Sequence, residues 1–102
     1  MKEFEIYIPL TYNDGLPIEN HKIERIGKRL LSFFDGVTLF PQRNEGYWKL
    51  AHVTYRDQIV IFRVIDGRVQ LSRRYLRKLK EDLKRYLRQE EILIVEKDAR
   101  LL

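Results

Sequence analysis

Residues 40–50 read FPQRNEGYWKL, and the fold turns on whether this stretch is one bent strand or two. Asn44-Glu45-Gly46 has the composition of a turn, yet Tyr47 and Trp48, the chain's single tryptophan, follow at once. Downstream, Ile59-Val60-Ile61-Phe62-Arg63-Val64-Ile65 is apolar on both faces, as expected of a central strand. A partner of matching length exists only if Val37 to Leu50 forms a single arm. Asn44-Glu45-Gly46 then reads as a β-bulge in which glycine tolerates unusual backbone angles. With the hairpin tip near Ala51 to Thr54, Leu50 is expected opposite Tyr55, Trp48 opposite Asp57 and Leu39 opposite Asp66. Tyr47 and Trp48 resume pairing beyond the bulge, and their rings shield a short arm that is marginal by itself. The alternative is a true turn that divides the stretch into two strands.

The segments on either side follow from periodicity. Phe4, Ile6, Ile8 and Leu10 alternate with Glu3, Glu5, Tyr7 and Pro9, which predicts a first strand with one buried face. Tyr12-Asn13-Asp14-Gly15 supplies a turn, and Pro17 closes the loop. From about Glu19, Ile23, Ile26, Leu30 and Phe33 or Phe34 recur at helical spacing; Asp35-Gly36 ends this helix, with Gly36 suited to a left-handed terminal position. After a turn at Asp66-Gly67, a second helix is expected from about Ser72, its N-cap, to Gln89. Its stripe is Leu76, Leu79, Leu83 and Leu87, with Tyr75 and Tyr86. Ile92 to Val95 is a short final strand, and the tail frays from about Lys97.

The order β-α-β-β-α-β, joined by two right-handed crossovers around a central hairpin, predicts an α+β ferredoxin-like sandwich over residues 1–102 as one domain. The antiparallel sheet has the order 4-1-3-2, with both helices on one face. On the other face, Tyr7, Ile59, Ile61, Arg63 and Ile65 point outward, and Glu5 is placed to pair with Arg63. Three isoleucines and a tyrosine on an open sheet form a patch that signals a partner, and a homodimer through this face or the extended hairpin is the leading expectation. Cover by the tail or by the loop after Pro9 is the plain alternative.

Composition narrows the classes. The 102 residues are 44% hydrophobic and 12% aromatic, which suits a folded globule. No apolar run reaches the length of a membrane span, and Met-Lys-Glu-Phe-Glu lacks the apolar stretch of a secretory signal, so a cytoplasmic protein without membrane insertion is expected. The absence of cysteine excludes disulfides, thiolate catalysis and cysteine metal sites. The net charge is +5, and Ser72 to Gln89 holds eight basic residues against two acidic ones, so this segment carries the whole excess. On a helical wheel, Arg73, Arg77, Lys80, Lys84 and Arg88 share the side next to the leucine stripe. Such a row suits successive phosphates of a nucleic acid, or an acidic protein; a solvated helix face neutralised by Glu81 and Asp82 is the ordinary alternative. RNA reading by stacking on the sheet is disfavoured, because Gln58 to Arg63 carries one aromatic, and that one faces inward.

Signals for catalysis are sparse. Asp14 follows the first strand, where some ferredoxin-like metal-dependent nucleases place an aspartate, so a phosphodiester hydrolase using Asp14 and a divalent metal is the runner-up; its ordinary role is a side-chain bond within the turn. Tyr12, Trp48 and Asp57 are candidates for a small-molecule pocket between sheet and hairpin, in an enzyme or a sensor. His21 and His52 have no second ligand at metal spacing, and there is no Gly-rich phosphate loop, nucleophile elbow or paired-carboxylate motif, so neither metal nor cofactor is expected.

The pattern Gly36-x-Thr38, Gly46-x-Trp48 and then Asp57 before an apolar strand resembles small bacterial domain families without an assigned activity. That resemblance covers roughly Val37 to Val64 and implies the fold and a structural Gly-x-Trp hairpin only. These features together predict a small binding or regulatory protein that acts without catalysis, with its basic second helix toward an anionic partner.

Overall fold

Alternation in the first strand becomes burial. A computed structural model describes all residues 1–102 and places Phe4, Ile6 and Ile8 of β1 (Lys2–Pro9) in the core at 2% exposure or less. The chain continues through α1 (Asn20–Phe33), β2 (Thr38–Leu50), β3 (Val53–Asp66), α2 (Val69–Tyr86) and β4 (Ile94–Asp98). The sheet order is β2-β3-β1-β4, with every neighbouring pair antiparallel. This is the predicted ferredoxin-like βαββαβ arrangement, with the two apolar strands β1 and β3 in the middle.

Val60, Phe62 and Val64 join the β1 residues beneath the helices. Ile26 and Leu30 of α1, with Leu76, Leu79 and Leu83 of α2, close the core from above. The helices touch through stacked Phe33 and Tyr75, centroids 4.0 Å apart, and Tyr75 Oη donates to the Arg29 carbonyl at 2.9 Å. Gly27 allows the close approach of α1 to the sheet: a Cβ there would lie 3.2 Å from Phe62 Cε1.

Several boundaries differ from expectation. α1 ends on Phe34, whose extended backbone turns its ring into the core; Gly36 does not take the left-handed conformation. Arg68 donates to the Phe33 carbonyl at 3.0 Å, supplying from a distance what a terminal glycine would have supplied locally. α2 begins three residues before Ser72, which is fully buried inside the helix and donates to Asp66 Oδ2 at 3.0 Å. Asp66 does the organising: it also accepts from the Arg68 backbone N–H and guanidinium. Burial pushes the Asp66 carboxyl up, but these bonds from Arg68 and Ser72 together outweigh it and leave the pKa below its ordinary value. At its other end α2 stops at Tyr86, because Arg88 adopts a left-handed φ of 53° and Gln89 N–H bonds the Lys84 carbonyl at 2.8 Å. An arginine thus fills the position glycine normally marks in this motif. β4 lies two residues later than expected and stays paired through Asp98.

The β2–β3 hairpin is one bent ladder, so the single-arm reading holds. Its irregularity falls between Phe40 and Asn44, earlier than expected, and Gly46 needs no unusual angle. The tip is a two-residue turn, Ala51-His52, with φ of 47° and 68°. Both central residues are therefore left-handed, the conformation of the tight hairpin turns that match strand twist. The register is accordingly Leu50 to Val53, Trp48 to Tyr55, Gly46 to Asp57 and Leu39 to Phe62, which corrects the expected pairs by two positions on the arm and by four beyond the bulge.

Candidate functional site

β1 pairs β3 only as far as Pro9 opposite Ile59, so the hairpin beyond that point is a free two-stranded arm. The radius of gyration is 13.9 Å, above the roughly 13 Å usual for a chain this long, as an arm projecting from the body requires. The side chains of the arm divide by strand period. Trp48, Leu50, Val53 and Tyr55 lie on one side; Tyr47, Arg56 and Glu45 lie on the other, where Arg56 pairs with Glu45 and Tyr47 Oη donates to Glu45 at 3.1 Å. On the first side Trp48 stacks on Tyr55 at 4.4 Å, and its Nε1 donates to Asp57 Oδ2 at 2.7 Å.

That side continues along β3 into the open face of the sheet, with Asp57 opposite Gly46 and Asn44 opposite Ile59 lying between Tyr55 and Ile61. Tyr7, Ile59, Ile61, Arg63 and Ile65 all lie on the open face as expected, each half-buried. Phe40 and Val95, on β2 and β4, complete the patch by register with Ile61 and Glu5. Arg63 faces Glu5 across the ladder but bridges Glu3 at 3.6 Å and lies over the Phe40 ring, whereas Glu5 pairs with Lys97. The expected Glu5–Arg63 pair is therefore replaced by two others. Their effect is to cancel every charge that Glu3, Glu5, Arg63 and Lys97 bring to this face.

Tyr12 does not join Trp48 and Asp57. It is buried beside the start of α1, where its hydroxyl donates to Glu19 at 2.8 Å and accepts from Lys22 Nζ at 2.7 Å. The Tyr12 hydroxyl, and after it Lys22, hold the Glu19 carboxyl below its ordinary pKa, although its burial acts the other way. Trp48 and Asp57 meet on the arm, on a surface and not in a pocket. Asp14 accepts the Leu16 N–H at 3.0 Å, the bond an aspartate makes within its own turn. No group of three or more histidine, aspartate or glutamate side chains is placed to hold a metal.

The basic row of α2 is mostly paired. Arg73 forms a two-point bond to Glu96 at 2.6 and 2.8 Å, Lys80 bridges Glu91 at 3.0 Å and Lys84 bridges Glu81 at 3.8 Å. Lys78 and Arg85 both meet Asp82, and Arg88 lies over the Tyr12 ring at 5.3 Å. Of the five residues predicted to meet an anion, Arg77 alone is without a carboxylate or ring partner. A polyanion on this row would have to displace the chain's own carboxylates, so the helix offers nucleic acid no support.

Asp82 is the strongest electrostatic node. It accepts from Lys78 at 2.5 Å, from Arg29 at 2.6 Å and from Arg85 at 2.7 Å, tying α1 to α2. The Lys78 bond first, then that of Arg29, lowers its pKa to about 2. Around this node lies a cluster that local spacing could have flagged: Arg25 and Arg29, a helical turn apart on α1, face Arg85 of α2 across a cleft.

No protein-family model matches this chain, and no curated protein matches it either. Among solved structures, a mutant form of CutA1 from Pyrococcus horikoshii OT3 matches with a TM-score of 0.64, covering 100% of this chain and 86% of that one. The likeness establishes the fold. At 14% identity it carries the architecture alone. No helix is long and apolar enough to cross a membrane.

Proposed function

We propose that this chain is a small binding protein that works by associating with copies of itself, through the open face of the sheet and the apolar side of the arm. One observation carries the reading: Tyr7, Ile61 and Val95 on the body and Trp48 and Tyr55 on the arm lie on one face, interrupted by Asn44 and Asp57. An exposed apolar surface of this extent is ordinarily covered in a working protein. Neutrality favours a second copy as the cover. The chain carries +5, yet the Glu3–Arg63 and Glu5–Lys97 pairs neutralise the charges on the sheet part of this face, so two copies meet there without like-charge repulsion. A two-fold pair is the simplest closed arrangement. Asp14 is engaged in its own turn, which favours binding over hydrolysis.

Trp48 reports on this surface, being the single tryptophan and 39% exposed in the isolated chain. At micromolar concentration its fluorescence should resist acrylamide quenching, and should become several-fold more quenchable in Ile61→Lys. Quenching typical of a free indole in both proteins would overturn the proposal.

A further inference from the structure

The helix side of the molecule carries a cleft that the assembly surface does not use. It is an open groove of about 670 Å3 between α1 and α2, within the range of roughly 300–1,000 Å3 usual for small-molecule sites. The half-buried ring of Tyr86 gives it an apolar wall, and the edges of the core residues Ile26 and Leu83 form its floor. Arg25, Arg29 and Arg85 contribute three guanidiniums against the single carboxylate of Asp82.

The arrangement of those arginines points to a ligand. Arg29 and Arg85 each direct one terminal nitrogen at Asp82, on different carboxylate oxygens. A guanidinium has five N–H donors, so Asp82 orients both groups while leaving most of their donors unengaged. Arg25 makes no ion pair and no side-chain hydrogen bond within the chain, so its charge is wholly available. Tyr86 adds the one buried side-chain polar atom without a hydrogen-bond partner, its hydroxyl. A nucleic acid would use the charge but not the apolar lining. A small ligand with an anionic head and an apolar body uses both.

We propose that this cleft binds a small organic oxyanion, a carboxylate or phosphate monoester on an apolar body. Arg25, Arg29 and Arg85 meet the oxygens, and Ile26, Leu83 and the Tyr86 ring meet the body. The cleft lies across the molecule from the open face, so the site stays accessible whether or not copies associate.

Calorimetric titration of the intact protein with phenyl phosphate, benzoate, inorganic phosphate and benzyl alcohol tests this. Saturable binding of phenyl phosphate or benzoate is expected, with the tighter of the two identifying the head group. Inorganic phosphate should bind at least tenfold more weakly than that probe, and benzyl alcohol should not saturate. Arg25→Gln, which removes no internal bond and should leave the circular dichroism unchanged, should weaken binding about tenfold, whereas Arg77→Gln should not. Methyl resonances of Ile26 and Leu83 should shift on titration. Absence of saturation by both aromatic anions at millimolar concentration would overturn the proposal, as would unchanged affinity in Arg25→Gln.

Discussion

Replacing Ile61 by lysine tests the assembly surface at its centre. Ile61 lies between Tyr7 of β1 and Phe40 of β2, half-buried and pointing away from the helices. In the isolated chain the lysine stem lies along the same surface and its ammonium reaches water, so the fold should lose well under about 1 kcal/mol. In an assembly the consequences multiply. Full burial of an isoleucine is worth about 1.5–3 kcal/mol; Ile61 is already half-buried, so association gains about half of that, and a two-fold interface contains the residue twice. Losing both contributions raises the dissociation constant by about one to two powers of ten, at roughly 1.4 kcal/mol per tenfold. The two ammonium groups would also oppose each other across a face that the native ion pairs keep neutral. Sedimentation velocity at micromolar concentration should show a smaller species for Ile61→Lys than for the native chain, with both melting at similar temperatures. Leu16→Lys, on an exposed residue outside the patch, should sediment as the native chain does. Equal sedimentation of Ile61→Lys and the native chain would refute the reasoning.

Three further outcomes are expected. The Asp82 pKa is depressed to about 2 in the folded chain, so its contribution to stability is present above about pH 4 and is lost as pH falls toward 2; melting followed against pH should show this loss, much reduced in Asp82→Asn. Ser72→Ala should cost about 1 kcal/mol in urea unfolding, since Asp66 loses one of its donors while the bonds from Arg68 remain. Converting Ala51-His52 to Asn-Gly relieves two left-handed non-glycine residues and should stabilise the arm locally by about 1 kcal/mol, seen as roughly fivefold greater amide protection from Trp48 to Tyr55.

The architecture was legible because burial imposes a period. Alternation in β1, the two-sided apolar run in β3 and the leucine stripe of α2 each report one packing constraint, and together they allow one topology. What escaped was set by contacts between distant residues. Ala51-His52 lacks the Gly or Asn that announces a tight turn, so the pairs differ from expectation by two residues on the arm and four beyond the bulge; both shifts are even, which leaves every side chain on its proper face. The bulge region includes Pro41, whose missing N–H suits an interruption of the ladder and was the overlooked cue. The second helix began early because Asp66, not Ser72, organises its first turn.

Outward residues of the open face follow from strand period alone, so Tyr7, Ile59, Ile61, Arg63 and Ile65 could be named in advance. The basic row could be counted along one helix, but its partners Glu91 and Glu96 arrive from the last segment of the chain, and local periodicity carries no information about them. Tyr12, Trp48 and Asp57 are separated for a similar reason: a loop residue's neighbours depend on where the loop returns, and this one returns to the start of α1.

Sedimentation equilibrium of the intact chain tests self-association without a label or a substitution. At micromolar concentration the mass should be at least twice the 12.4 kDa of one chain. A single 12.4 kDa species throughout the concentration gradient would contradict it, and would leave the open face and its arm as exposed surface without a partner of their own kind.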